Sequence, residues 1–304
     1  MDAAFLYTTV QPTRIQRRDK MPQHILITGA TGRLGSALVR ALGQDAIVHQ
    51  LSLDPPGPNA PPASGPIIQG SVTDEASVAQ AMERVDVVIH CASYPGAIEP
   101  YQELMNTNVM GTFTVLEAAG RSESVKRVLH ISSLHWYGLY ESQGTRRPPH
   151  YLPLDERHPS LAMGYYDTSK VLAERLVESF AGRFGKSAVA LRPAWIITPE
   201  LEPSFKALPP VNAPHLNDYV GMSDVVNAIQ RCLTYEPAAG YEVFALHADD
   251  QRSTMPTKEL VEKHFPQGTC DTDKLEQYGL FTSLVDCTKA RECLGWKPKY
   301  RCAR

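Results

Sequence analysis

A glycine-rich turn joins an apolar strand near the start of this chain to an amphipathic helix. Residues 25–27 form a short apolar run typical of a strand buried on both faces, and glycines follow at Gly29, Gly32 and Gly35. Apolar residues then recur at helical spacing from Leu34 onward. Such a turn directs backbone N–H groups and the positive end of a helix dipole at one point, where glycines leave room for a phosphate. The sequence therefore predicts a phosphate-binding turn within an α/β fold.

An acidic residue follows the next predicted strand at the distance expected for a dinucleotide site. The strand covers residues 46–53 and is followed by Asp54, about 20 residues beyond Gly35. An acidic side chain at this place binds the ribose hydroxyls of an adenosine and repels a 2′-phosphate. The glycines alone would also fit a loop that binds nothing. Together with Asp54 they favour a dinucleotide cofactor, and NAD over NADP.

Strand and helix signals alternate along most of the chain. Further strands are predicted at residues 67–68, 85–91, 125–132, 188–192 and 241–246. Helices are predicted at residues 75–84, with Asp74 as the N-cap, and at 101–120, 166–184, 223–233 and 257–265. This alternation indicates an α/β fold, a Rossmann-type doubly wound parallel sheet covered by helices on both faces.

The pattern becomes looser after residue 192, where prolines interrupt it. We therefore expect a dinucleotide-binding domain over residues 21–192. A smaller C-terminal substrate lobe is expected over residues 193–304, partly interwoven with the first domain. Residues 140–160 are expected to form a surface loop, either a solvated insertion or a clamp on the substrate.

Composition excludes several classes of function. The chain has 304 residues, a net charge of −3 and 43% hydrophobic residues, which suits a globular protein and gives no reason to expect nucleic acid or an anionic membrane as partner. No run approaches the ~18 apolar residues of a membrane span. The six cysteines form no C-x-x-C pair, so neither a metal site nor disulfides are expected, and a reducing cytoplasm fits best. Residues 1–20 are basic without a continuous apolar segment, which favours a disordered extension.

Tyr166 and Lys170 are a candidate pair for proton transfer. They lie four residues apart on a predicted helix and hence on the same face. A phenol with an unperturbed pKa near 10 is a weak base at neutral pH, and a neighbouring ammonium favours the phenolate. The same spacing also arises by chance from a surface tyrosine and a solvated lysine.

The glycine spacing, Asp54, Ser133 and the Tyr166–Lys170 pair together resemble the extended short-chain dehydrogenase/reductase family, the NAD-dependent epimerase/dehydratase group. The resemblance runs from about residue 21 to the Leu-Gly-Trp-Lys-Pro sequence at 294–298. It implies that Ser133 polarises the substrate oxygen and that Tyr166 is the general acid/base. It also implies that Lys170 holds the nicotinamide ribose and lowers the pKa of Tyr166.

The resemblance also implies supporting and cofactor-binding residues. Asn108 belongs to the implied catalytic set, where it supports a water or the active-site backbone, although a hydrogen bond between helices is the alternative. Many members bind adenine with an aspartate, and this chain has Ser71-Val72 there, so a weaker or different adenine contact is expected. His90 is expected to be a core histidine. The implied cofactor contacts are Gly29, Thr31, Gly32, Arg33, Leu34, Gly35, Asp54, Ser71, Val72, Cys91, Ala92, Ser93, Tyr166, Lys170 and Pro193.

Two departures from the family pattern bear on the substrate. Leu134-His135 stands where nucleotide-sugar 4,6-dehydratases have an acidic pair, which disfavours dehydration. The segment 193–224 is short and lacks an arginine that grips a sugar nucleotide, so a small polar substrate is expected. The Ser133-x-His135 pattern is somewhat similar to uronate dehydrogenases. Candidate pocket walls, with core packing as an equal alternative, are Tyr94, His135, Trp136 and Trp195.

These observations predict an NAD-dependent oxidoreductase that interconverts a secondary alcohol, or a sugar lactol, and a carbonyl on a small molecule. A nucleotide-sugar epimerase with tightly bound NAD and a non-catalytic dinucleotide-sensing regulator remain alternatives. The family resemblance further implies a homodimer formed through the helices that begin near Tyr101 and Tyr166.

Overall fold

A computed structural model describes residues 23–97, 99–139, 147–209, 219–266, 268–270, 275 and 279–301. The expected N-terminal extension lies outside these residues. Seven strands of the described chain form the main sheet: β1 (His24–Thr28), β2 (Ile47–Ser52), β3 (Ile67–Gln69), β4 (Val87–His90), β5 (Arg127–Ile131), β6 (Ser187–Pro193) and β9 (Tyr241–Leu246). A second, two-stranded sheet pairs β7 (Trp195–Ile197) with β8 (Tyr219–Gly221).

The main sheet is parallel throughout and has the strand order β3-β2-β1-β4-β5-β6-β9. The chain runs outward from β1 to β3 and then returns to the other side of β1 with β4. Ile27 therefore pairs with Gln50 on one side and with Ile89 on the other. Residues 25–27 are at most 1% exposed, as expected of a strand covered on both faces. The predicted Rossmann-type fold is confirmed.

Helices cover both faces of the sheet. The described helices are α1 (Arg33–Leu42), α2 (Glu75–Ala81), α3 (Tyr101–Met105), α4 (Thr112–Arg121), α5 (Tyr165–Phe184), α6 (Glu202–Ala207), α7 (Met222–Cys232), α8 (Thr257–His264) and α9 (Thr288–Leu294). Asp74 caps α2 as predicted, because its carboxylate accepts a hydrogen bond from the Ser77 N–H. Each predicted helix is present within a few residues of the expected bounds, except where residues 101–120 divide into three segments.

A π-helical turn interrupts the helix predicted over residues 101–120. It covers Asn106–Gly111 and separates α3 from α4. A π turn inserts an extra residue into the helical repeat and so changes which side chains face the sheet. In this turn Asn108 and Gly111 are buried. The uniform helical periodicity of the sequence did not predict this break.

C-terminal residues complete the main sheet and its core. Strand β9 pairs with β6 along its whole length, with Val243 opposite Ala190. Trp296, which follows α9, is fully buried and its indole N–H donates to the Asp224 carbonyl. The core cluster that holds β1 and β5 therefore also contains residues from the end of the chain. No helix among the described residues is long and apolar enough to cross a membrane.

Candidate active site

A cleft of about 640 Å³ lies at the carboxyl ends of the central strands. Its walls come from the glycine turn after β1, the ends of β4, β5 and β6, and helix α5. Strand β1 has β2 on one side and β4 on the other, so the order of the strands reverses direction at β1. Ligands of parallel α/β sheets bind at such a switch point, because the loops on the two sides diverge there. The cleft therefore occupies the place where the fold accommodates a cofactor.

Close backbone packing explains two of the glycines in the turn. Gly29 has a φ of 67°, in the left-handed region, and a Cβ there would lie 2.9 Å from the Ala92 backbone. A Cβ on Gly35 would lie 2.1 Å from the Gly29 carbonyl oxygen, so α1 packs directly on the turn. Gly32 is the N-cap of α1. The residues of this segment that line the cleft are Gly29, Gly32, Arg33, Leu34 and Gly35.

A smaller cavity of about 210 Å³ lies near the ends of β2 and β3. The exposed Asp54 is on its wall, together with Thr31 and Ser52. The Thr31 N–H donates to the Ser52 hydroxyl over 3.0 Å, which fixes the turn against β2. Thr31 lines this cavity and the adjacent Gly32 lines the large cleft, so the glycine turn separates the two. An elongated dinucleotide that crosses the turn fits this arrangement, with Asp54 beside its adenosine half.

The structure does not bring Ser71 and Val72 to this region. Among the described residues, neither one lines the cleft or the small cavity. The Ser71 hydroxyl is hydrogen-bonded to the Thr73 hydroxyl at 2.7 Å. Val72 is 5% exposed and packs in the core beside Gly111. Their expected contact with adenine remains a prediction without geometric support.

Ser133 lies two residues after the end of β5 and lines the cleft. It is the N-cap of a 3-10 helical turn, Leu134–Tyr137, and its hydroxyl accepts a hydrogen bond from the His135 N–H at 3.1 Å. The residue is 9% exposed and lines the cleft beside Tyr166. The carboxyl end of a parallel strand thus places this hydroxyl in the cleft.

Tyr166 lies in the first turn of α5 and is 7% exposed. Burial raises the pKa of its phenol to about 12, a hydrogen bond with Ser133 opposes this shift, and the charge of Asp167 adds to it. Lys170 Nζ lies 5.6 Å from the centre of the Tyr166 ring. Burial is the largest of these effects, so the net shift of the Tyr166 pKa is upward. The lowering of this pKa by Lys170 remains a prediction.

Lys170 is buried at the base of the cleft. Its Nζ atom donates to the Ser93 hydroxyl at 2.8 Å and to the Ile131 carbonyl at 3.3 Å. Burial lowers the pKa of Lys170 to about 8, and the attraction of the Glu174 carboxylate opposes this shift. A lysine held at a strand end in this way is a fixed cation in a dry part of the site.

Asn108 supports the site without lining the cleft. The π turn presents its side chain toward the segment after β4, where Oδ1 accepts from the Tyr94 N–H at 2.8 Å and from the Ser93 hydroxyl at 3.1 Å. Its Nδ2 donates to the Ser169 hydroxyl at 3.0 Å. Asn108 therefore links the loop that holds Lys170 to helix α5. Its contact with Ser169 is a hydrogen bond between helices, and its contact with Tyr94 supports the backbone of the segment after β4.

The expected pocket walls divide into two groups. His135 and Trp195 line the cleft, and both side chains are substantially exposed. The Tyr94 hydroxyl donates to Glu103, and the Trp136 ring is covered by the Arg192 guanidinium at 3.4 Å. Wall residues that the sequence did not single out are Pro95, Ile131, Leu134, Ala194, Ile196, Thr198 and Met222. All of them except Thr198 are apolar, and an apolar residue gives no sequence signal that distinguishes a pocket wall from the core.

Two buried histidines lie on neighbouring strands beneath Lys170. His90 is hydrogen-bonded to the Thr28 and Thr112 hydroxyls, as expected of a core histidine. His130 is opposite it in the sheet, 5.4 Å away between ring centres, and its two ring nitrogens have no hydrogen-bond partner. Burial, and then the charge of Lys170, lowers the pKa of His90 to about 3. No group of three or more potential metal ligands occurs within the described part of the chain.

Residues 25–209 match the NAD-dependent epimerase/dehydratase family. The chain belongs to this family. It is similar to a uronate dehydrogenase from Pseudomonas syringae, with 29% identity over 222 residues, which cover 72% of each chain. It is also similar to an L-arabinose 1-dehydrogenase from Haloferax volcanii, with 28% identity over 57% of this chain and 67% of that enzyme.

A solved structure has the same fold. The WbmG enzyme of Bordetella bronchiseptica, in complex with NAD, superposes with a TM-score of 0.68 and 24% identity, covering 93% of this chain and 91% of that chain. The family match and the relatives confirm the expected family, the oxidoreductase class and NAD as the cofactor.

Proposed function

We propose that this protein is an NAD-dependent dehydrogenase that oxidises a hydroxyl group of a small sugar-like substrate to a carbonyl. The observation that carries the proposal is the convergence of Ser133, Tyr166 and Lys170 in one cleft with the glycine turn. The relatives named as uronate and L-arabinose dehydrogenases support oxidation of a sugar lactol. NAD, when bound, supplies the hydride acceptor.

The glycine turn and the first residues of α1 would hold the pyrophosphate. Backbone N–H groups at a helix N-terminus bind anions, and the missing side chains at Gly29 and Gly35 let the turn pack directly against Ala92 and α1. Asp54 on the wall of the small cavity would bind the adenosine ribose and disfavour a 2′-phosphate. Lys170, which projects from α5 to the segment after β4, would bind the nicotinamide ribose.

Ser133 and Tyr166 would carry the proton chemistry. A hydroxyl that loses hydride from its carbon must also lose its O–H proton, and the Tyr166 oxygen is the acceptor that we assign to it. Ser133 would donate a hydrogen bond to the same substrate oxygen and stabilise its developing charge. A positive charge that approaches the phenol favours the phenolate, so the cation of Lys170 acts in the direction that proton transfer requires.

The substrate half of the cleft favours a small molecule with one apolar face. Leu134, Ile196 and Met222 line it, and the Trp195 side chain presents a half-exposed ring. Trp195 is held edge-on against the buried Phe205 ring, with 5.3 Å between ring centres. A fixed indole face stacks well on the C–H face of a sugar ring. This arrangement favours a free sugar over an open-chain alcohol.

Production of NADH tests the proposal. The purified chain is mixed with NAD and, one at a time, with aldoses, uronic acids and simple secondary alcohols, and NADH absorbance is followed. NADH formation with an aldose or a uronic acid, and not with the simple alcohols, is expected. A preparation that holds tightly bound NAD and interconverts a nucleotide sugar without net NADH would contradict the dehydrogenase proposal and favour an epimerase. Cofactor binding without any turnover would favour a dinucleotide sensor.

We also propose a homodimer, active in a reducing compartment such as the cytoplasm. Met110 and Phe113 around the start of α4 and Leu172 on α5 are large apolar side chains with 41–51% exposure. Exposed apolar clusters of this kind mark protein interfaces. A dimer in analytical ultracentrifugation that becomes monomeric in a Phe113→Glu variant is expected, and a wild-type monomer at micromolar concentration would contradict it.

A further inference from the structure

A histidine–carboxylate pair adjoins the candidate base. His135 Nδ1 lies 2.9 Å from Asp167 Oδ1, and the two side chains differ sharply in exposure, 41% for His135 and 4% for Asp167. Asp167 directly follows Tyr166 on α5, whereas His135 belongs to the 3-10 turn after Ser133. The pair therefore joins the two elements that carry the candidate catalytic hydroxyl groups.

The geometry around Tyr166 places this pair in direct contact with the site. The His135 ring packs edge-on against the Tyr166 ring, with 5.2 Å between ring centres and 74° between the planes. The His135 backbone N–H donates to the Ser133 hydroxyl. His135 also lines the cleft. A buried carboxylate that orients a half-exposed imidazole beside a reacting group has stronger electrostatic effects than the same pair in water.

The other charged and titratable groups near Tyr166 are either paired or held neutral by burial. The cation is Lys170, which is bound to Ser93. Glu174 on α5 is paired with Arg192 on β6 at 2.8 Å. Burial lowers the pKa values of His90 and His130, which keeps both neutral, and raises the pKa of Cys91, which keeps it a thiol. Asp167 therefore remains the carboxylate that acts most directly on the phenol, and His135 is its partner.

We propose that the His135–Asp167 pair sets the proton affinity of Tyr166. The buried Asp167 carboxylate holds the proton on the phenol, and the hydrogen bond from His135 limits this effect. Both are positioning residues, because they act through Tyr166. The proposal rests on the role of Tyr166 in the proposed function. The proton affinity of Tyr166 then depends on a pair in which Asp167 is buried and His135 is exposed to the cleft.

Direct titration of position 166 tests the proposal without a substrate. The full chain is produced with 3,5-difluorotyrosine in place of Tyr166, and fluorine NMR follows its ionisation against pH. Asp167→Asn keeps the shape and a hydrogen-bond acceptor for His135 but removes the charge. We expect it to lower the ionisation midpoint by about half a pH unit or more. Glu178→Gln, which removes an exposed charge from the same helix, is the control and should leave the midpoint unchanged.

The histidine provides a second variant with the opposite expected sign. His135→Phe keeps an aromatic ring against Tyr166 but deprives the Asp167 carboxylate of its donor, so the midpoint should rise. In the Asp167→Asn background the same His135→Phe change should have no effect, because the lost hydrogen bond acts through the carboxylate. An unchanged midpoint in a folded Asp167→Asn protein would overturn the proposal. If that variant does not fold, an unchanged or lowered midpoint in His135→Phe would overturn it.

Kinetics separate this proposal from the proposed function. With NAD and a sugar that is oxidised, Asp167→Asn should shift the pH profile of kcat/KM toward lower pH in parallel with the NMR midpoint. A structural role for the pair alone would lower stability or kcat without moving the profile. If no sugar is oxidised, the proposed function fails, and the NMR midpoints still decide whether the pair controls Tyr166.

Discussion

Lys170 Nζ donates a hydrogen bond to the Ser93 hydroxyl over 2.8 Å, and this contact joins α5 to the loop after β4. The Ser93 hydroxyl in turn donates to Asn108 Oδ1 on the π turn. Three elements that are far apart in sequence thus fix one buried cation. The position of Lys170, and with it the polarity of the cleft base, depends on this short chain of contacts.

Ser93→Ala tests the contribution of this contact. The variant leaves a buried ammonium with one hydrogen-bond acceptor fewer, which costs about 1–3 kcal/mol of unfolding free energy. We expect a lower unfolding midpoint in urea and a reduced kcat with NAD. Ser179→Ala, at an exposed position of α5, is the matched control. Equal stability of Ser93→Ala and wild type would contradict the assigned contact.

Asp54 is expected to discriminate between the two nicotinamide cofactors. Asp54→Asn removes the carboxylate that would repel a 2′-phosphate, so the preference for NAD over NADP should fall on the order of tenfold. Dissociation constants for both cofactors, measured by calorimetry, check this. Glu75→Gln at the exposed start of α2 is the control. An unchanged preference in Asp54→Asn would place the adenosine elsewhere.

The buried histidines should make the fold sensitive to acid. Burial holds the pKa of His90 at about 3, whereas the ordinary pKa of histidine is 6.5. The unfolded chain therefore binds more protons below about pH 6.5, and stability falls with decreasing pH by up to ~1.4 kcal/mol per unit for each such histidine.

His130→Leu removes one of these groups and replaces an unpartnered buried imidazole with an apolar side chain. We expect a shallower loss of unfolding free energy between about pH 6 and pH 4, with no loss of stability near pH 8. Urea unfolding at several pH values measures this. An identical pH dependence in the variant would show that His130 does not contribute.

Trp195 should report sugar binding directly. The chain has three tryptophans, and Trp296 is fully buried while Trp136 is covered by Arg192. A sugar that stacks on Trp195 should change the intrinsic fluorescence of wild type and not of Trp195→Phe. Trp195→Ala should raise KM more than it lowers kcat, because it removes binding rather than chemistry. An equal fluorescence response in both proteins would exclude Trp195 from the substrate site.

The features that the sequence predicted correctly depend on interactions between residues close together in the chain. The apolar run at residues 25–27, the glycine turn and the helical spacing after Leu34 act within one short segment, and the turn forms there as expected. Tyr166 and Lys170 are on one helix, so their spacing alone placed them together. Ser133 and Ser93 follow neighbouring strands, and their proximity was predictable because the carboxyl ends of parallel strands lie at one edge of the sheet.

Tertiary contacts explain what the sequence did not predict. His135 and Asp167 are 32 positions apart in the sequence. Nothing in the sequence pairs them, because their contact forms only when the 3-10 turn packs against α5. The apolar residues around Asn108 recur in the sequence as they would in an uninterrupted α-helix, so the π turn left no signal there. The upward shift of the Tyr166 pKa was not predicted, because it depends on burial, which tertiary packing determines.

The most direct test of the account compares Tyr166→Phe with wild type and with Tyr165→Phe. Tyr165 is adjacent on α5 and 53% exposed, so the control removes a hydroxyl outside the cleft. With NAD and a sugar that wild type oxidises, Tyr166→Phe should lose at least about 100-fold in kcat while its NAD affinity is retained. Tyr165→Phe should keep wild-type turnover. Undiminished NADH production by Tyr166→Phe would contradict the assignment of Tyr166 as the proton-transfer group.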